Sequence, residues 1–167
     1  MAGNGKAWFL GIIFGLIGIA VSAAIFFGVM VVTKMIFGYA AIFTGAVAGG
    51  IAALGFKIGG GSFKEQKDIS NFLLFATIVG LVAVVAGYTV SPYFYYGAFD
   101  KMDFGAFMEL YSSLGVFSGI DFLFIAIGAY GGRWAGQKIG YSIAVAGNRA
   151  MDSARAEGLS GVDKKFK

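Results

Sequence analysis

Long apolar stretches alternate along the chain with short clusters of charge. Four stretches, at about 7–32, 35–56, 69–90 and 114–135, each reach the roughly 20 helical residues needed to cross a hydrocarbon core of about 30 Å. The first contains no charged residue, and only Thr33 and Lys34 part it from the second, which predicts a tight antiparallel hairpin. Helices satisfy their own backbone in lipid, and the alternating ten-residue segments of a transmembrane barrel are missing. The expected fold is therefore an all-α membrane protein with four transmembrane helices in an antiparallel bundle. Val21-Ser22-Ala23 and Lys6 resemble parts of a cleaved signal, yet the apolar run continues through Phe26, Phe27 and Val32, so the first stretch reads as a retained span.

The connection between the third and fourth stretches has a different pattern. Pro92 is expected to stop the third helix, and Tyr93, Phe94, Tyr95 and Tyr96 follow at once, a grouping suited to the headgroup level. Asp103 then offers an N-cap, with Phe104, Phe107, Met108 and Tyr111 at i, i+3, i+4 and i+7. That spacing predicts a short amphipathic helix lying in the interface with Glu109 turned to water. Tyr93, Tyr95, Tyr96, Phe104, Phe107 and Tyr111 would anchor it; a lid over a site, or a lateral protein contact, are the alternatives. Residues 1–140 read as the transmembrane domain and 141–167 as a cytoplasmic tail, helical or frayed.

Composition agrees with the pattern. Of 167 residues, 58% are hydrophobic and 13% charged, about half the charge of an ordinary soluble domain. Lys6, Lys57, Lys64, Lys67, Arg133, Lys138, Arg149, Arg155, Lys164, Lys165 and Lys167 fall on one side of the expected spans; Lys34 and Lys101 fall on the other. Basic residues resist translocation, so both termini and the middle loop are expected in the cytoplasm. The asymmetry accounts for the net charge of +4 without a nucleic-acid partner. With neither Cys nor His, thiolate chemistry, iron–sulfur clusters and the commonest metal ligand and general base are excluded. No cofactor and no metal site is expected.

Glycine is abundant, at 28 residues, and much of it lies at helical spacing. Gly11 with Gly15, Gly45 with Gly49, and Gly115 with Gly119 form small-xxx-small pairs, and Gly128, Gly132, Gly136 and Gly140 form a ridge. Tight packing within one bundle is the plainer reading. A docking face for a second copy or a larger membrane complex is the sharper one.

Asp121 is the acidic residue well inside an expected span, and such groups normally face protein or water. It reads as a proton or cation site or a polar lock between helices; alternatively, it is a shallow carboxylate bonded to Ser118 or to a tyrosine of the outer loop. Gly59-Gly60-Gly61-Ser62-Phe63-Lys64 lacks the spacing of a phosphate-binding loop and reads as a flexible turn. Ser22, Tyr39, Thr44, Asn71 and Thr77 are the other polar side chains noted in the spans, and hydroxyls there commonly bond to their own helix.

Two stretches carry a resemblance. Gly38-Tyr39-Ala40-Ala41, leading to Gly45 and then Gly55-Phe56-Lys57-Ile58-Gly59-Gly60-Gly61, is similar to the second span of an uncharacterised prokaryotic family of small four-span membrane proteins. Ile120-Asp121-Phe122-Leu123-Phe124-Ile125-Ala126-Ile127-Gly128-Ala129-Tyr130 resembles that family's last span. The resemblance implies the four-span topology and a prokaryotic inner membrane as the location, and draws attention to Asp121; it brings no activity with it.

Three functions follow in order. The first is a non-enzymatic structural or accessory subunit, bound by membrane lipids and packing against itself or a larger complex. The second is a small channel or an ion- or proton-coupled transporter using Asp121. A membrane enzyme comes third, since only Asp100, Asp103 and Glu109 gather near the outer surface.

Overall fold

The computed structural model describes residues 5–33, 38–63, 66–94, 103–113 and 119–163. Among these residues there are five helices and no strand: α1 (Gly5–Thr33), α2 (Gly38–Ile58), α3 (Gln66–Pro92), α4 (Phe104–Ser113) and α5 (Gly119–Asp163). Three of them, α1, α2 and α3, are long and apolar enough to cross a membrane.

The side-chain distribution is the reverse of a soluble protein's. Along α1 the buried positions are Ala7, Gly11, Gly15, Gly18, Ser22, Phe26 and Met30, a mostly small stripe repeating every three to four residues. Its large aliphatic and aromatic side chains point outward, with Leu16 64% and Phe9 63% exposed. Water would penalise that arrangement strongly, whereas hydrocarbon does not.

Packing registers show how the helices lie. Alanine-sized contacts join Gly11 to Phe56, Gly15 to Ala52 and Gly18 to Ala48, so residue numbers rise along α1 as they fall along α2. The α3–α5 contacts run the same way, with Gly80 beside Gly132, Ala76 beside Gly136, and Phe72 beside Gly140. Between α2 and α5 the numbers rise together: Gly45 meets Gly128 and Gly49 meets Gly132. Helices α2 and α3 each touch the other three long helices.

One end of this assembly is aromatic and basic. Trp8, Phe56, Phe63, Phe72 and Phe75 interlock there, with Trp8 edge-on to Phe56 at 5.1 Å and Phe63 stacked on Phe56 at 5.7 Å between centroids. The glycine run after α2 is ordered rather than slack. Gly61 N–H donates to Phe56 O and Gly60 N–H to Lys57 O, both at 3.0 Å, and Gly60 has φ +77°. This is a Schellman cap, and its left-handed residue favours glycine.

The opposite end holds α4. Asp103 Oδ1 accepts a hydrogen bond from Ala106 N–H at 2.8 Å, closing the first turn. The Tyr93 ring meets Phe104 edge-on at 5.3 Å and so ties the end of α3 to the start of α4.

Pro92 is the last residue of α3, as expected, and it is fully buried; a π-turn follows at Tyr93 and Phe94. At the other end of the chain, α5 runs on from Gly119 to Asp163 without a break at residue 140. Its 45 residues correspond to about 68 Å at about 1.5 Å per residue.

Candidate functional site

Two arrangements emerge from the residues singled out by spacing: a glycine seam and a polar contact near the α4 end. The seam joins α2, α3 and α5. A Cβ on Gly45 would collide with the Gly128 carbonyl, and one on Gly49 would lie 2.5 Å from Gly132 Cα. A Cβ on Gly132 would come within 2.6 Å of Ala76 O and 2.9 Å of Gly80 Cα, and one on Gly136 within 2.6 Å of Ala76 Cβ. Three helices thus meet backbone to backbone. Gly11 and Gly15 are looser, with nearest approaches of 3.5 Å and 3.3 Å to α2 and α3 side chains. Gly119 opens α5, while Gly115 lies outside the described residues.

Asp121 is half-buried in the first turn of α5, where a carboxylate complements the helix dipole. Across the seam stands Tyr88 of α3, fully buried and tilted against Phe26 at 5.2 Å between centroids. The Tyr88 hydroxyl has no partner at close hydrogen-bond geometry. The Asp121 carboxylate nevertheless lies near enough to act on it, both by charge and as a longer-range acceptor. A phenol and a carboxylate thus face each other across α3 and α5 without a short bond. Ser118, Tyr95 and Tyr96 lie outside the described residues, as do the side chains of Phe107 and Tyr111 within α4. Of the aromatic anchor group, Tyr93 is half-buried and Phe104 exposed.

The remaining hydroxyls divide into two groups. Thr44 Oγ1 donates to Ala41 O at 3.0 Å and Thr77 Oγ1 to Leu73 O at 2.7 Å, each within its own helix. Ser22 differs from that expectation: its Oγ crosses to Thr44 O on α2 at 2.8 Å. Ser91 Oγ likewise crosses from α3 to Ala23 O on α1 at 3.1 Å. Both serines sit where small neighbours let the backbones approach, so a short side chain reaches the next helix.

Tyr88 and Ser91 are the residues that spacing arguments centred on α1, α2 and α5 pass over. The signal for them is the small-residue face of α3 itself, Ala76, Gly80, Ala83 and Gly87, all buried. Tyr88 lies four residues beyond the buried Val84 and eight beyond Gly80, and Ser91 four beyond Gly87, so both turn inward with that face. No known protein family, characterised protein or solved structure matches the chain.

Proposed function

We propose that this protein is a non-enzymatic integral membrane protein, a structural or accessory subunit whose four spans pack through glycine faces. In this reading α5 is the fourth span, the four spans form an antiparallel bundle, and both termini lie in the cytoplasm of a prokaryotic cell. The observation that carries it is the inverted build of the bundle, with glycine and alanine along the seams and most leucines and isoleucines outside. The α3–α5 register supports the fourth crossing, because Phe72 at the start of α3 meets Gly140, and Val84 near its far end meets Gly128. Engagement of Gly45, Gly49, Gly128, Gly132 and Gly136 inside the chain means that a second copy or a larger complex would meet large apolar side chains instead. Native mass determination in mild detergent tests the reading. A homo-oligomer or a co-purifying membrane protein supports the subunit role; a strictly monomeric species, alone at every protein concentration, refutes it.

A second reading, a channel or ion- or proton-coupled transporter, is favoured by one observation: the buried Tyr88 hydroxyl facing Asp121. In proteoliposomes it requires a cation or proton flux that Asp121→Asn abolishes. Flux that is equal in Asp121→Asn and parent vesicles removes it.

A further inference from the structure

Helix α5 has a second functional-looking side at the basic end, opposite its glycine ridge. Trp134, Gln137, Lys138 and Tyr141 fall at i, i+3, i+4 and i+7 and line an open groove of about 380 Å³. That volume is within the roughly 300–1,000 Å³ of small-ligand clefts. The Lys138 ammonium stands over the Trp134 ring, 5.9 Å from its centroid, at the range of a cation–π contact. Lys57 brings another ammonium to the same turn, its Nζ donating to Ser142 Oγ at 3.2 Å. Arg133 is exposed at the adjoining position, and the described lining includes no acidic side chain.

The depth of the groove follows from its neighbours. Ile143 packs into the cluster of Ala7, Phe56 and Phe72, where α1 begins, α2 ends and α3 begins. The apolar runs give way to charged loops at that level, so the Tyr141 end of the groove lies at headgroup depth for any bilayer that α1, α2 and α3 cross, and Trp134, seven residues back, lies about 10 Å further in. Tryptophan and tyrosine favour that depth, and lysine reaches it by extending its stem over apolar surface. Further along α5, Tyr130, Leu123 and Phe122 are also exposed, which continues an apolar surface towards the other end.

We propose that the groove of Trp134, Gln137, Lys138 and Tyr141 binds the phosphate-bearing headgroup of an anionic phospholipid. Lys138 supplies the charge, Gln137 and Tyr141 supply hydrogen-bond donors, and Trp134 packs against the start of the acyl chains. The proposal rests on the reading of α5 as a membrane span.

The chain's two tryptophans make the test direct. Trp8 is enclosed between Phe56 and Phe75, so Trp8→Phe keeps an aromatic ring there and leaves Trp134 as the sole indole reporter. In nanodiscs, brominated phosphatidylglycerol should quench Trp134 about twofold more than brominated phosphatidylcholine at equal mole fraction and low salt. The preference should vanish on adding Lys138→Gln and survive Lys138→Arg. Equal quenching by the two lipids, or a preference that persists in Lys138→Gln, overturns the site while leaving the span intact. Quenching by neither lipid puts Trp134 outside the bilayer and overturns the span and the site together. Native mass spectrometry of the unsubstituted chain gives a second readout. Retention of phosphatidylglycerol over phosphatidylcholine supports the site, and equal retention overturns it.

Discussion

Gly45 and Gly128 show how much one methyl group can weigh. A side chain at either position runs into the facing backbone, which cannot swing away as a rotamer would. Gly128→Ala is expected to lower stability by on the order of 1–3 kcal/mol, the usual cost of overpacking. Gly28→Ala on α1 meets nothing within 4 Å and should be neutral or stabilising by up to about 1 kcal/mol, from helix propensity alone. Thermal unfolding of both variants in the same detergent separates the two effects. Gly60→Ala tests a different property, since the space beside it is open and only its positive φ resists a side chain. A loss of about 1–2 kcal/mol is expected there. The residue scale is also where the sequence was least legible. Spacing marks Gly45, Gly49, Gly128 and Gly132 as small faces, but it does not say which face meets which. It misses Tyr88 because a tyrosine near the end of a span looks like one more headgroup anchor until the glycines beside it are read as a face.

At the scale of elements, α1, α2 and α3 were legible in approximate extent, because a helix able to cross lipid needs a long unbroken apolar run. The end of α3 was legible as well, since Pro92 is its last residue. The far end of α5 was not, because past residue 140 alanines and mixed charges replace the apolar run that marks the other long helices. The loop after α2 was misleading as well, since three consecutive glycines suggest slack but here form a cap, with Gly61 against the Phe56 ring. Helix α4 is the easiest element to test. Its described capping bond is Asp103 Oδ1 to Ala106 N–H, so Asp103→Ala should cost α4 about 1 kcal/mol. Hydrogen exchange of residues 104–113 should speed up several-fold, with exchange in α3 unchanged.

For the whole molecule, the decisive prediction concerns sides. Ser62, beside the aromatic and basic end, and Ser112, on α4, are both exposed and lie at opposite ends of the assembly. The chain has no native cysteine, so Ser62→Cys and Ser112→Cys can be labelled without background. In sealed vesicles an impermeant maleimide added outside should reach one and not the other, and labelling of both from one side would contradict a membrane-spanning arrangement. The seam of α2, α3 and α5 bears on how such a molecule could work. Interleaved side chains can slip between rotamers and let neighbouring helices ratchet past one another. Main chain lying directly on main chain has no such gears. Helix α1 is held to α2 in the same way, at Gly18, Gly55 and Gly59. The four long helices are therefore expected to act as a single stiff keel, and any working stroke of this protein falls to the part hung upon it, α4.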